Sequence, residues 1–128
     1  MPICRLETRE GWIAGRHAEV IDAIHRAMIE TIRIPVHDRD IRILEYPAPA
    51  FAPPPGSGPG FSILEITLLV GRSPEAKRRL YAELTREMAA FGLAPTDLKI
   101  LLNEISGENW GLGGKAVADI DVGFKIDV

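Results

Sequence analysis

The sequence contains almost no cysteine, carries no excess of basic residues and has no long apolar run. Its single cysteine, Cys4, excludes an intramolecular disulfide. The net charge of −3 gives no basic footprint, so we expect no nucleic-acid partner. No apolar run reaches the roughly 18 residues that a membrane-spanning helix needs. The three histidines have no clustered spacing and therefore do not predict a metal site.

The length and composition are typical of one small domain. Hydrophobic residues make up 46% of the 128 residues and charged residues 26%, which is close to the globular average. A chain of this length buries most of the surface that its unfolded state exposes. The first six residues lack the basic-then-apolar order of a signal peptide. We therefore expect a single cytoplasmic domain over residues 1–128, with no membrane contact.

A pattern of apolar and turn-forming residues recurs after 60 positions. The aligned pairs are Ile3 with Ile63, Gly11 with Gly71, Ile24 with Leu84, Met28 with Met88 and Pro35 with Pro95. After Pro35 the offset becomes 59, so that Asp38 aligns with Asp97. Chance similarity between two amphipathic helices is the alternative. The recurrence along both segments predicts a duplicated unit.

Each half predicts a strand, a helix and a second strand. The predicted segments are strands over 3–6, 41–46, 63–70 and 98–104, with helices over about 14–32 and between Ser73 and Gly92. The two units therefore span about 1–46 and 61–105, and the stretch 47–60, rich in proline and glycine, predicts a loop. Alternation near the end of the chain predicts strands within 115–128.

A β-α-β crossover normally makes its two strands parallel. One such unit alone has too little core, so we expect both units to share a four-stranded sheet with two helices on one face. This is an α+β fold. Its open edges and uncovered sheet face favour association with further copies of the chain.

Pro2 directly follows the initiator Met1, and methionine before a small residue is usually removed. Removal would leave Pro2 with a free secondary amine. An ordinary α-amino group has a pKa of about 7.7–8.0, and burial or a nearby cation lowers it. Such an amine is neutral near pH 7 and can act as a general base. The alternative is that proline stands at this position by chance.

Several pieces along the whole chain match one family. They are Pro2, Gly11, residues 22–28, Pro35 with residues 38–39, residues 71–73 with Glu75 and Lys77, and residues 109–111 with Gly113 and Gly114. With these pieces the duplicated chain resembles the tautomerase superfamily. It is most similar to the fused two-unit members, among them the malonate semialdehyde decarboxylases and the cis-3-chloroacrylic acid dehalogenases.

The resemblance implies a homotrimer with no metal and no organic cofactor, whose substrate is a small carboxylic acid. It implies that Pro2 is the general base of a tautomerase that isomerises the keto and enol forms of a 2-oxo or dienol acid. A decarboxylase or hydratase of a three-carbon acid is one alternative. A non-catalytic trimeric binding protein is the other.

The resemblance also assigns four further residues. Arg72 matches the family arginine that binds the substrate carboxylate, and Asp38 matches an acid that works with the proline. His25 and Trp110 are candidates for substrate binding. Each has a structural alternative: an arginine facing solvent, an aspartate that caps a turn, a packed histidine, and an aromatic residue of the core or of an interface.

The sequence departs from the relatives at three places. Leu69 stands where the dehalogenases carry a second arginine, and Val70 stands where the decarboxylases carry one. The segment from Trp110 to Gly114 lacks the arginine that relatives place there. Because keto-enol isomerisation needs fewer charged groups than dehalogenation, the departures favour a tautomerase.

Overall fold

Both halves of the chain form the predicted strand, helix and strand. A computed structural model describes all residues from 1 to 128. Its main elements are β1 (Ile3–Arg9), α1 (His17–Ile32), β2 (Ile41–Tyr46), β3 (Ser62–Leu69), α2 (Pro74–Ala89) and β4 (Leu98–Ile105). A short hairpin of β5 (Gly111–Leu112) and β6 (Lys115–Ala116) follows. No helix of the chain has the length and apolar character needed to cross a membrane.

The four main strands form one sheet in the order β2-β1-β3-β4. The outer pairs β1–β2 and β3–β4 are parallel, as the crossovers predict, and the central pair β1–β3 is antiparallel. Ile3 lies opposite Thr67, and a shift of 60 residues converts this pair into Glu7 opposite Ile63, which is also observed. The two halves are therefore related by an internal twofold arrangement.

The change of offset after Pro35 also has a structural counterpart. In the first half Cys4 pairs with Ile41, whereas in the second half its equivalent Leu64 pairs with Ile100. The connection in the first half is thus one residue longer. The repeat in the sequence therefore corresponds to equivalent strand pairings in the two halves of the structure.

Both helices lie on one face of the sheet and enclose a single core. Alternate residues of β1 and β3 face the helices and are fully buried, among them Leu6 and Leu64. They form one cluster with buried residues of α1 and α2 such as Ile24 and Leu84. The opposite sheet face carries partly exposed apolar residues, including Leu101 on the edge strand β4.

Helix α1 begins later than its hydrophobic pattern predicts. We expected it from about residue 14, but it starts at His17. Ala14 and Gly15 have φ angles of +51° and +81°, which are left-handed and incompatible with a right-handed helix. The Arg16 side chain donates hydrogen bonds to the carbonyls of this turn and holds it in place.

Within one chain, the predicted strands over 115–128 are present only as far as Ala116. The chain turns through a short 3-10 segment at Val117–Asp119, and residues 120–128 pair with no strand. Instead, Ser73 donates a hydrogen bond of 2.8 Å to the carbonyl of Val128, and Ile126 lies against Gly71. Ile126 and Val128, two of the half-buried residues in this alternating segment, therefore contact the β3–α2 turn.

Ser73 is the N-cap of α2, as predicted, because its hydroxyl accepts a hydrogen bond of 3.1 Å from the Ala76 N–H. We expect Ser73→Ala to lower the free energy of unfolding by about 1 kcal/mol, since the cap is lost. Urea unfolding at fixed protein concentration measures this. Ser57→Ala, in the exposed loop, is the control. Equal losses in both variants would contradict the role of the cap.

Candidate active site

The sheet register brings the start of the chain next to two loops. Pro2 is buried and immediately precedes β1, whose first residue, Ile3, pairs with Thr67 near the end of β3. The β3–α2 turn with Arg72 is therefore at the same end of the sheet. Because β2 is parallel to β1, the loop that precedes β2 and contains Asp38 also ends there. Three residues distant in sequence thus come together.

The amino terminus forms an ion pair with Asp38. The Met1 amine lies 2.7 Å from Asp38 Oδ2, and this buried oxygen has no other partner. Burial lowers the pKa of the amine below its ordinary value of 8.0, the hydrogen bond and charge of Asp38 oppose that shift, and the Arg72 charge adds to it. The amine therefore lies in an environment that favours its neutral form.

Arg72 is buried and poorly satisfied. Its side chain is 5% exposed, which excludes the alternative of an arginine facing solvent. One guanidinium nitrogen donates a hydrogen bond of 3.2 Å to the Leu69 carbonyl, while Nε and Nη2 have no partner. Burial lowers the pKa of Arg72, against the charges of Asp38 and Glu104. Buried donors without partners are rare in proteins and indicate a place for an acceptor.

A cleft of about 360 Å³ opens beside the amine. It is lined by residues 1–3, Asp38, Asp40 and residues 110–112. Trp110 reaches the cleft because the chain continues from β4 through the 3-10 turn Gly107–Asn109 into the hairpin. Apolar walls with a few polar groups are typical of sites for small ligands.

His25 lies behind this site rather than in the cleft. It is buried on α1, and its Nε2 donates a hydrogen bond of 3.1 Å to the Asp38 carbonyl. Its Nδ1 lies 3.4 Å from Arg39 Nη1, and Arg39 also binds Asp22. Both ring nitrogens are therefore engaged within the chain. The histidine holds the Asp38 loop, and the substrate contact that the resemblance implies stays a prediction.

Sequence reasoning missed Asp40 as part of the site. Asp40 lines the cleft, and its carbonyl accepts a hydrogen bond of 2.9 Å from the Cys4 N–H. The signal was its position two residues after Asp38, which in an extended chain puts both side chains on one side.

Cys4 lies in β1, where burial raises the pKa of its thiol to about 12. The thiol is therefore unreactive.

Comparison with known proteins gives a consistent result. A family model described as tautomerase enzyme matches residues 38–113, which include Asp38, Arg72 and Trp110. A probable tautomerase from Ralstonia nicotianae is 30% identical over 53 residues, which are 41% of this chain and 76% of that protein.

Two solved structures share the fold over most of both chains. An asymmetric trimer of wild-type fused 4-OT superposes with a TM-score of 0.80 and 23% identity, over 91% of this chain and 96% of that one. Malonate semialdehyde decarboxylase gives a TM-score of 0.80 and 22% identity, over 93% and 99%. With its doubled β-α-β sheet and its match to the family model, the chain belongs to the tautomerase superfamily.

Proposed function

We propose that the chain is a cofactor-free tautomerase whose Met1 is removed and whose free Pro2 amine is the general base. The substrate is a small 2-oxo or dienol carboxylic acid. The observation that carries the proposal is the pair of unpartnered guanidinium donors of Arg72, buried at the same end of the sheet as the amine. A carboxylate satisfies such a guanidinium with two parallel hydrogen bonds.

The charges of the site support proton transfer by this amine. Burial and the Arg72 cation lower the pKa of the Met1 amine, and we expect them to favour the neutral form of the Pro2 amine that replaces it once Met1 is removed. Only a neutral amine accepts a proton. The Pro2 nitrogen takes the hydroxyl proton of the bound enol, and the resulting prolinium returns a proton to the carbon of the double bond. The enol becomes a ketone, and the amine is neutral again.

Asp38 contributes the opposing charge during this cycle. The amine is cationic between the two proton transfers, and the Asp38 carboxylate stabilises that cation. It is placed to do so because the His25 ring holds its backbone carbonyl. Trp110 and the adjoining hairpin form the cleft wall that borders the substrate.

Ketonisation of phenylenolpyruvate tests the proposed activity. Loss of the enol absorbance is followed with the purified chain and compared with the uncatalysed rate in the same buffer. We expect acceleration that is saturable in substrate. A rate equal to the buffer rate, measured on chains shown by intact mass to lack Met1, would contradict the tautomerase and favour a non-catalytic binding protein.

Decarboxylation of a three-carbon acid is the second candidate, because the chain superposes on malonate semialdehyde decarboxylase and has a carboxylate beside the amine. In that reaction the bond from C2 to the carboxylate breaks, and prolinium protonates the carbon. Acetaldehyde release from malonate semialdehyde measures it. Release at a higher kcat/KM than ketonisation would make decarboxylation the main activity.

We also propose that the chain assembles as a homotrimer. Fused 4-OT is a trimer, and the partly exposed apolar residues on the open sheet face and the edge strands β2 and β4 offer surfaces for association. Light scattering should give three times the mass of one chain. The mass of one chain at all concentrations would contradict the assembly.

The pH dependence of the reaction should depend on Asp38. Its carboxylate raises the pKa of the Met1 amine, and we expect the same effect on the Pro2 amine once Met1 is removed, so Asp38→Asn should lower the pKa of the Pro2 amine. Because the neutral amine is the active form, kcat/KM should then begin to fall at a lower pH than in the wild type. Asp40→Asn is the control, because Asp40 also lines the cleft. This substitution should shift the pH profile of kcat/KM less than Asp38→Asn does. A shift toward higher pH in Asp38→Asn would contradict the ion pair.

A further inference from the structure

The internal duplication gives the Pro2 cleft a counterpart at the other end of the sheet. The offsets of 60 and 59 residues place Phe61 at the position of Met1, Ile63 at that of Ile3, and Lys99 at that of Asp40. Phe51, which follows the 3-10 turn after β2, is the counterpart of Trp110, which follows the 3-10 turn after β4.

These counterpart residues line one cleft in the structure. It has a volume of about 670 Å³, and its walls include Tyr46, Phe51, Phe61 and Ile63 together with the prolines of the loop at 53–55. The rings of Tyr46 and Phe51 are 5.9 Å apart, and those of Phe51 and Phe61 are 6.4 Å apart. We call this the twin cleft. The aromatic series gives it flat apolar walls.

The twin cleft has lost the groups that proton transfer requires. Ser62 stands at the position of Pro2 within the chain, so no free amine forms there. Trp12 stands at the position of Arg72 and donates a hydrogen bond of 2.7 Å to Thr8 Oγ1. The Ser62 hydroxyl donates to the same atom at 2.9 Å. The Thr8, Trp12 and Ser62 side chains bond to one another at this end, and no free amine is present there.

One cation remains uncompensated in the twin cleft. Glu7 accepts a hydrogen bond of 2.6 Å from the Tyr46 hydroxyl and forms an ion pair of 2.8 Å with Arg5. Lys99 makes no ion pair, and its ammonium lies 5.8 Å from the centre of the Phe61 ring. The Lys99 charge therefore favours an anion against an aromatic surface.

We propose that the twin cleft is a second, non-catalytic binding site for a planar aromatic carboxylate. The ring packs against the aromatic walls, and the carboxylate pairs with the Lys99 ammonium. The site is a remnant of the duplicated active-site cleft, in which the exchange of Asp40 for a lysine supplies the cation. It is independent of catalysis at Pro2, because none of its lining residues belongs to that site.

The test uses 4-fluorobenzoate as the probe with the ¹⁵N-labelled full chain. We expect the amide resonances of Phe51, Phe61 and Lys99 to shift saturably, and 4-fluorobenzyl alcohol, which lacks the charge, to bind more weakly. Lys99→Gln should weaken 4-fluorobenzoate binding about three- to fivefold, as expected for an exposed ion pair. Phe51→Ala should weaken it about tenfold because an aromatic wall is lost.

Two controls separate this site from the proposed active site. Arg79→Gln removes an exposed cation from α2 and should leave the shifts of Phe51, Phe61 and Lys99 unchanged. Arg72→Met, which removes the cation of the proposed active site, should also leave them unchanged. Equal losses in Arg79→Gln and Lys99→Gln would overturn the proposal. Shifts confined to Trp110 and Leu112, or the absence of shifts up to the solubility limit of the probe, would also overturn it.

Discussion

Replacing Pro2 with alanine should lower kcat for phenylenolpyruvate ketonisation at least about 100-fold, because a positioned general base contributes roughly 10²–10⁴ to the rate. Alanine is also small, so the variant still loses Met1 and keeps an amine. That amine is primary and lies on a freely rotating residue, whereas the proline nitrogen is held in a ring. The loss should therefore appear mainly in kcat.

A matched variant separates this effect from general damage. Pro59→Ala changes an exposed loop proline and should keep wild-type kinetics. The thermal unfolding of Pro2→Ala should also stay close to that of the wild type, because Pro2 does not belong to the apolar core cluster. A kcat for Pro2→Ala within twofold of the wild type would contradict the role of Pro2.

Replacing Arg72 with methionine should reduce kcat/KM about 100-fold, because hydrogen bonds to a charged group are worth about 1.5–3 kcal/mol. The larger part should be a rise in KM, since the arginine binds the substrate carboxylate before the proton moves. The missing cation should also raise the pKa of the Pro2 amine, because Arg72 lowers the pKa of the Met1 amine at this end of the sheet. The acidic limb of the pH profile should therefore move to higher pH.

Stability should not follow activity in this variant. Arg72 is buried with two unpartnered donors, and an apolar side chain of similar length removes that penalty. We expect the free energy of unfolding of Arg72→Met to equal or exceed that of the wild type in urea titrations. Arg78→Met, on the exposed side of α2, is the kinetic control. Loss of folding together with activity would indicate that Arg72 is structural.

The sequence predicts the fold well because the signals are local and repeated. The spacing of apolar residues in both helices and the Ser73 N-cap with Pro74 are properties of short segments, and all of them recur in the structure. The offset of 60 residues even predicts the central strand pairing, since Ile3–Thr67 and Glu7–Ile63 are equivalent pairs. Such signals need no knowledge of distant contacts.

The sequence fails where a residue's role depends on distant partners. The alternation over 115–128 resembles a strand, but within one chain residues 120–128 pair with no strand, and Ile126 and Val128 contact the β3–α2 turn. The resemblance predicts substrate binding for His25, whereas the contacts of its ring nitrogens with the Asp38 carbonyl and with Arg39 are visible only in the structure. Both sets of contacts join residues that are distant in the sequence, so a local sequence pattern does not predict them.

The candidate site is predicted in part by the sequence and in part only by the structure. Pro2, Asp38 and Arg72 are identified by resemblance, and their meeting at one end of the sheet follows from the strand order. The burial of Arg72 and the absence of partners for two of its nitrogens come only from three-dimensional packing. The family match begins at residue 38 and does not include Pro2, so the role of Pro2 needs its own test.

The central claim is that the free amine of Pro2 is the base, and the most direct measurement relates activity to the state of Met1. Samples with different fractions of Met1 removed are prepared by varying methionine aminopeptidase treatment, and the fractions are read by intact mass. The specific activity in phenylenolpyruvate ketonisation should rise in proportion to the Met1-free fraction and extrapolate to the buffer rate at zero. Full activity in chains that all retain Met1 would contradict the account.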